Sequence, residues 1–160
     1  KEISFLFKLV DQYFTKEIKN LVKNDIKINI IGNINKLPKK VKYRLIDSMK
    51  KTKKCKKILV NLAINYGSKD EIVKSAKLIK RKNQNISVNN IKKNLYTYNL
   101  PDPDILIRTG GRKRLSNFLL WQLAYSELYF INKLWPDFTV SDYTKIINNY
   151  KKVKRNFGKI

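Results

Sequence analysis

Histidine is absent from this chain of 160 residues, and cysteine occurs once, at Cys55. The first absence excludes a zinc site built from histidine and cysteine, and a single thiol excludes an internal disulfide. No run of apolar residues approaches the roughly 20 that a membrane-spanning helix needs. One cysteine fits a reducing compartment, so we expect a cytoplasmic or organellar protein without a transmembrane segment.

Negative charge is scarce as well. Twelve acidic residues stand against 36 lysines and arginines, so the formal net charge is +24. A charge of this size attracts nucleic acid, anionic lipid or phosphorylated substrates. The alternative is that most lysines form an ordinary solvated surface. A hydrophobic fraction of 42% still indicates a folded chain that is long enough for one domain with a sizeable core.

Arginine is rare among these cations and unevenly placed. Only six of the 36 basic residues are arginines. Three of them, Arg108, Arg112 and Arg114, surround the only adjacent glycine pair, Gly110 and Gly111, in the stretch RTGGRKRLSNF. A general preference for lysine does not produce such a cluster, so this segment is the first candidate for a functional site.

Hydrophobic periodicity divides the chain into alternating helices and strands. Ser68 with Glu71 matches a capping box ahead of the third helix, and Ser141 is expected to cap the last. Alternating strands and helices predict an α/β fold, a single domain whose largely parallel central sheet is flanked by helices. The predicted helices are 1–24, 38–53, 68–82, 88–95, 116–127 and 141–157, and the predicted strands are 26–32, 58–67, 105–109 and 128–131.

The glycine–arginine segment has the local chemistry of an anion site. A short strand runs straight into Gly110 and Gly111, and a helix is predicted to begin at Ser116. Ligands of parallel sheets bind outside the carboxyl ends of strands, glycine allows close backbone approach, and a helix start offers N–H groups to an anion. Arginine adds bidentate bonds to phosphate. These features predict a phosphate or diphosphate site, and the alternative is a structural strand–turn–helix with exposed arginines.

Common nucleotide-binding motifs are missing. The chain contains neither a G-x-x-x-x-G-K-[ST] loop nor a G-x-G-x-x-G loop. It also lacks a DD-x-x-D carboxylate cluster, which an all-helical isoprenoid synthase would use to hold magnesium. The predicted anion site therefore belongs to none of these classes.

Glu127 is the second unusual residue, because it lies between two strongly apolar segments. A carboxylate in such surroundings is rarely buried without a partner. It is either a Mg²⁺ ligand that helps to hold a diphosphate or one side of a salt bridge to an arginine such as Arg114. The residues alone leave both interpretations open.

The block DPDILIRTGGRKRLSNFLLWQLAYSELYFINKLWPDF (102–138) resembles the cis-prenyltransferase family, which includes undecaprenyl diphosphate and dehydrodolichyl diphosphate synthases. IKINIIGNINKLP (26–38) and LVNLAINYGSKDEIV (59–73) agree more weakly, so the resemblance covers essentially the whole chain. It implies one cis-prenyltransferase domain over residues 1–160. It also implies Mg²⁺-dependent elongation of an allylic diphosphate, usually farnesyl diphosphate, by sequential cis-condensation with isopentenyl diphosphate to a long-chain polyprenyl diphosphate.

The resemblance also assigns roles to individual residues. It implies that Arg108, Arg114 and Ser116 are catalytic and hold the diphosphate of isopentenyl diphosphate, and that Glu127 is the metal ligand. Four apolar residues, which on periodicity alone would be ordinary core, are expected to line the prenyl tunnel: Leu6, Leu9, Val10 and Ile58.

Three departures from the family pattern qualify this assignment. The Asp-Gly-Asn-x-Arg loop that carries the family's essential aspartate is absent, so we expect the N-terminal part of the domain to be missing and this chain alone to be inactive. Arg112 stands where the family commonly has glutamate. Asn156 replaces an arginine in a C-terminal tail that reaches the partner subunit in the family, and Arg155 is a candidate substitute.

Two other functional hypotheses compete with an active enzyme. The first is a catalytically silent subunit that supports an active partner, although such a subunit would not need Glu127 and the arginine–serine set. The second is a basic nucleic-acid-binding module, which would interleave lysines with exposed stacking aromatics. The aromatic residues here follow core periodicity instead, so no nucleic-acid partner is expected. By resemblance, the protein should be a homodimer that works close to a membrane, at the endoplasmic reticulum if it is eukaryotic.

Overall fold

The structure, a computed structural model, describes residues 2–155, with side chains from residue 5 onward. By its internal contacts the chain consists of two compact units, which divide between Tyr66 and Gly67. Both units contain parallel strands and helices, so the predicted α/β class is confirmed. The described strands form two separate two-stranded sheets, one in each unit, where the sequence predicted a central sheet. The assignment of the whole chain to one domain stays a prediction.

The first unit consists of α1 (Glu2–Lys23), β1 (Ile26–Ile31), α2 (Lys39–Lys51) and β2 (Ile58–Ala63). The two strands are parallel, and their register runs from the pair Ile26 and Ile58 to the pair Ile31 and Ala63. The helices pack around a buried apolar cluster because the helical spacing of α1 places its inward side chains on one face. This cluster consists of Phe14, Leu21, Ile28, Val41 and Leu45.

Asp25 sets the start of this strand pair. It adopts a left-handed conformation (φ 57°) at the turn between α1 and β1. Its carboxylate accepts hydrogen bonds from the N–H groups of Lys56 and Lys57, each at 2.9 Å. Since these lysines directly precede β2, the contacts bring the beginnings of the two strands together. The β-branched run at 58–67 is typical of a buried strand, but Ile58 and Leu59 at the start of β2 are exposed.

The second unit contains α3 (Ser68–Arg81), α4 (Val88–Lys93), β3 (Ile105–Arg108), β4 (Glu127–Phe130) and α5 (Val140–Tyr150). Its strands are also parallel, with Ile105 opposite Glu127 and Arg108 opposite Phe130. Its small buried cluster joins α3 to α4 and the residues after it, and it consists of Ile79, Ile91 and Leu95. None of the described helices in either unit is long and apolar enough to cross a membrane.

The predicted helix over residues 116–127 is wrong. The segment is a series of turns, in which Ser116, Asn117 and Leu119 have left-handed φ values of 50°, 62° and 44°. The prediction rested on a segment that is apolar nearly all round, which is typical of a buried helix. Some N–H groups do bond within the segment, such as that of Leu123 to the Leu119 carbonyl, but Asn117 and the Leu120 N–H are bonded to α3, as described for the site below.

Both predicted serine caps are wrong as well. Gly67 is the N-cap of α3, and Ser68 is already inside the helix. The last helix begins after Thr139, whose side chain forms a capping box with Asp142. Hydrogen bonds from Lys133 and Thr139 hold the pKa of the Asp142 carboxyl well below its ordinary value. A carboxylate in the first turn is further favoured by the positive end of the helix dipole.

Candidate functional site

Arg108, Arg114 and Ser116 come together at the carboxyl end of β3. Arg108 is the last residue of that strand. Its Nη1 donates to the backbone carbonyl of Arg114 and to the Ser116 hydroxyl, the latter at 3.0 Å. The Arg108 side chain thus closes the loop 109–116 on itself. The Ser116 hydroxyl accepts this bond and retains its own proton, which it can donate to a ligand.

These three residues line one cavity of about 260 Å³. Ligand pockets for drug-sized molecules commonly occupy ~300–1,000 Å³, so this cavity suits a small anion or the head group of a longer molecule. Its polar groups lie beside apolar walls, an arrangement that fits an anion attached to a short hydrocarbon. The residues that line it are Leu106, Ile107, Arg108, Arg114, Leu115, Ser116 and Phe118.

The positive charge of this loop is not compensated within the described structure. Arg108 is half-buried, whereas Arg112, Lys113 and Arg114 are exposed. Among the side chains of residues 5–155, none of these four cations has an acidic partner within salt-bridge distance. Partly shielded cations attract anions more strongly than fully solvated ones, because less water screens them. The loop therefore carries positive charge without an acidic partner in the described structure, and Arg108 is its partly shielded cation.

The glycine pair adopts the positive φ values expected of glycine, but its amides are not open to a ligand as the predicted close approach would need. Gly110 and Gly111 adopt φ values of 85° and 71°, which L-residues rarely tolerate. Their N–H groups donate to the carbonyls of Lys133 and Ile131, at 2.8 and 2.9 Å. These amides are thus engaged by the backbone that follows β4 and are not available to a ligand. The glycines turn the chain, so the donors that the candidate anion site offers are side chains.

The sequence-based prediction missed two residues beside the site, Asn117 and Ser68. Asn117 accepts hydrogen bonds from the first two N–H groups of α3, and the Ser68 hydroxyl accepts one from the Leu120 N–H in return. The available signal was that asparagine, unlike most residues, tolerates the left-handed region. Nothing in the sequence shows that its partner would be a helix 48 residues earlier.

Glu127 lies away from the arginine cluster. It is the half-buried first residue of β4, pairs with Ile105, and donates its N–H to the Asp104 carbonyl at 2.9 Å. Arg108 follows Ile105 by three residues, which places it about 10 Å further along the strand and, by the two-residue period, on the opposite face. No ion pair links Glu127 to Arg114 among the described side chains.

The position of Glu127 bears on whether the described residues of one chain could bind Mg²⁺. Within the part of the chain that the structure describes, no three Asp, Glu, His or Cys side chains form a group that could hold a metal ion. Mg²⁺ can be held by one or two carboxylates together with substrate phosphates. However, Glu127 and the Arg108 cluster of one chain face opposite sides of the strand pair. The described residues of one chain therefore do not fit a metal ion bridging Glu127 and a diphosphate on Arg108.

The four expected tunnel residues all belong to the first unit. Leu6, Leu9 and Ile58 are 57%, 43% and 48% exposed, and Val10 is half-buried against the apolar cluster. An ordinary core position would be more deeply buried, so the core interpretation is wrong for the three exposed residues. Exposed apolar side chains of this size suit a surface that contacts a ligand or another protein segment. A tunnel lined by these residues stays a prediction.

Arg155 is bound within its own unit. Its guanidinium donates to the Asp104 carboxylate, the Tyr150 hydroxyl and the Tyr125 carbonyl. The hydrogen bond from Arg155 lowers the pKa of the Asp104 carboxyl below its ordinary value. These contacts do not support Arg155 as a residue that reaches into a partner's site. Asn156, the other residue of interest in the tail, lies outside the described residues.

Comparison with known proteins agrees with the chemistry of this loop. Residues 1–158 match the model of a family of prenyltransferases, described as putative undecaprenyl diphosphate synthase. The chain belongs to this prenyltransferase family. The resemblance of residues 102–138 is thereby confirmed, and the cavity at Arg108 is a candidate substrate site in a prenyltransferase.

Individual relatives give the same result. Isoprenyl transferases of Rickettsia typhi and Clostridium tetani are 43% and 41% identical to this chain, over 99% of its length. The chain spans 70% of the former protein and 65% of the latter.

Two solved structures share the fold. One is a probable undecaprenyl diphosphate synthase from Campylobacter jejuni, with a TM-score of 0.91 and 38% identity, and the match covers 99% of this chain and 75% of that one. The other is lavandulyl diphosphate synthase from Lavandula x intermedia in complex with dimethylallyl diphosphate, with a TM-score of 0.92 and 31% identity. That match covers 99% of this chain and 72% of the other.

Proposed function

We propose that the protein elongates an allylic diphosphate, with farnesyl diphosphate as the expected primer, by sequential cis-condensation with isopentenyl diphosphate. The product would be a long-chain polyprenyl diphosphate. The observation that carries this proposal is the convergence of Arg108, Arg114 and Ser116 on one cavity with no acidic partner among the described side chains. A catalytically silent subunit has no need for such a site.

Each group of this cavity has a task in the proposed reaction. Arg114 and the free part of the Arg108 guanidinium would bind the diphosphate of isopentenyl diphosphate, with the Ser116 hydroxyl as a further donor. The walls formed by Leu106, Ile107 and Phe118 would cover its five-carbon chain. Fixing this substrate lets its double bond form a new bond to C1 of the allylic primer, whose C1–O bond breaks and releases pyrophosphate. A proton is then lost from the added five-carbon unit, which restores a double bond. The chain's own contribution is positioning and charge neutralisation.

The direct test is incorporation of labelled isopentenyl diphosphate by the full-length protein. We expect extractable polyprenyl product with farnesyl diphosphate as primer in the presence of Mg²⁺, and a loss of at least about a hundredfold after chelation, since a divalent ion neutralises the diphosphate charge. Dimethylallyl diphosphate serves as the alternative primer, because a related structure contains it. Products that stop after a single condensation would contradict the long-chain proposal. An intact protein that incorporates nothing until a partner subunit is added would support the silent-subunit alternative.

Glu127 remains the proposed Mg²⁺ ligand on the strength of the family resemblance, although one chain does not bring it to Arg108. We expect Glu127→Gln to raise the Mg²⁺ concentration for half-maximal turnover by about tenfold or more, because the amide removes a charged oxygen ligand that a hard cation prefers. Asp137→Gln, at an exposed acidic residue of the same unit, is the control. An unchanged Mg²⁺ requirement in Glu127→Gln would show that this carboxylate does not bind the metal.

We also propose that the protein forms a homodimer and acts close to a membrane. Both proposals rest on the family resemblance. The polyprenyl product is the reason to expect membrane proximity, since a long hydrocarbon partitions into lipid.

A further inference from the structure

We infer that Asn117 is a positioning residue that fastens the Arg108–Arg114–Ser116 cluster to the N-terminus of α3. Through this attachment it fixes where the Ser116 hydroxyl and the Arg108 guanidinium meet the diphosphate. The inference rests on the proposed function, because it assigns a role at the same site.

Asn117 supplies the acceptors that the start of α3 lacks. The first N–H groups of a helix have no partner inside the helix, and the N-cap of α3 is Gly67, which has no side chain to offer. The Asn117 carbonyl accepts from the Ser68 N–H at 2.9 Å, and its Oδ1 accepts from the Lys69 N–H at 2.8 Å. Asn117 thus caps a helix that is distant from it in the chain. The same hydrogen bonds hold Asn117 itself in place, directly after Ser116.

The attachment is reciprocal and partly buried. The Ser68 hydroxyl, which is fully buried, accepts from the Leu120 N–H at 2.9 Å. Gln122, also buried, donates to the Glu71 carboxylate one turn further along α3, at 3.2 Å. The segment 117–122 is therefore tied to the first turn of α3 at three points. Gln122 Oε1 has no hydrogen-bond partner in the described structure, but the buried hydrogen bond at Ser68 favours a single arrangement of the backbone.

The backbone conformation of the segment needs this support. Ser116 and Asn117 are consecutive left-handed residues, and serine gains nothing from that region by itself. Unfavourable φ values persist only where surrounding contacts impose them. Since Ser116 directly precedes the tied residue, the attachment sets the direction of its hydroxyl, which lies 3.0 Å from Arg108 Nη1.

Gly67 gives independent support for a close and specific contact. Its own φ is −150°, an extended value open to any residue. A Cβ at this position would nevertheless lie 2.8 Å from Asn117 Nδ2, which is closer than real Cβ contacts. A side chain at position 67 would therefore have to displace the end of the Asn117 side chain from its place beside the start of α3.

The test compares Asn117→Gly with Asn83→Gly in the full-length protein. Glycine keeps the left-handed conformation available and removes only the side chain, so lost activity is not due to backbone strain. Asn83 is the matched control, because it is an exposed asparagine with φ 52° at the end of α3. We expect Asn117→Gly to raise KM for isopentenyl diphosphate about tenfold and to weaken the binding of inorganic pyrophosphate by a similar factor, since an N–H loses its acceptor. KM for the allylic primer should stay within about twofold.

Different results would distinguish a structural defect, failure of the positioning role and failure of the proposed function. A purely structural defect would lower the fraction of active enzyme, and hence the apparent kcat, and would leave KM for both substrates unchanged. That result would overturn the positioning role. Equal KM values in Asn117→Gly and wild type would overturn it too. Should Asn117→Gly fail to fold, Ser68→Ala removes the acceptor of the Leu120 N–H and must show the same selective rise. Wild-type protein that neither binds pyrophosphate nor turns over would instead overturn the proposed function, and the positioning role with it.

Discussion

Arg108→Lys is expected to lower kcat/KM for isopentenyl diphosphate by about a hundredfold, the size of effect seen when a single preorganised donor is lost. Lysine keeps the positive charge but has no planar fork, so it cannot hold the Arg114 carbonyl and the Ser116 hydroxyl while it also binds a diphosphate. Steady-state kinetics with varied isopentenyl diphosphate at saturating primer measures this loss.

The control for this substitution is Arg81→Lys. Arg81 is the exposed last residue of α3 and has no acidic partner among the described side chains. The same chemical change there should leave kcat/KM unaltered. If Arg108→Lys retains a third or more of the wild-type value, the guanidinium geometry is not what binds the substrate.

Arg114→Ala is expected to raise KM for isopentenyl diphosphate by about 30-fold, because a charge-assisted bond to the diphosphate is lost. The melting temperature should not change. The Arg114 side chain is exposed and makes no hydrogen bond or ion pair within residues 5–155, and the carbonyl that Arg108 contacts remains in alanine. Kinetics together with a thermal melt of the same preparation check both parts.

Arg112→Ala distinguishes diphosphate binding at a specific site from nonspecific attraction of anions by the net charge of the loop. Arg112 is exposed in the same loop and carries the same charge, but it does not line the cavity. A specific site predicts less than a threefold effect at Arg112, since exposed charges act through screened water. If both alanine variants weaken binding equally, and added salt removes the effect, the loop attracts anions only through its net charge.

Local features of the sequence were enough for most of the fold. Apolar residues at helical spacing, Phe14 and Leu21 among them, predicted α1, and the alternation of isoleucine with polar residues over 26–32 predicted β1. Both signals depend on which face of an element is buried, and neighbours along the chain report that directly. The concentration of arginine around Gly110 and Gly111 likewise marked the loop in which the cavity was found.

The segment 116–127 shows that local sequence patterns do not predict structure that depends on contacts with distant residues. It is apolar nearly all round, which predicts a buried helix. The Leu120 N–H nevertheless bonds to Ser68, and two consecutive residues, Ser116 and Asn117, are left-handed. The competing partners lie in α3, about 50 residues earlier, and no local pattern records them. For the same reason Ser68 was mistaken for a cap, whereas its hydroxyl serves a distant backbone group.

Motifs and local patterns in the sequence were enough to predict the family, the α/β class with parallel strands, and the loop in which Arg108, Arg114 and Ser116 occur. The folded structure added that the glycine amides are already bonded, that strand register places Glu127 and Arg108 on opposite faces, and that Asn117 joins the cluster to α3. Composition and periodicity depend on residues close in the chain. The direction of a side chain depends on strand register and on hydrogen bonds between residues far apart, which exist only once the chain has folded.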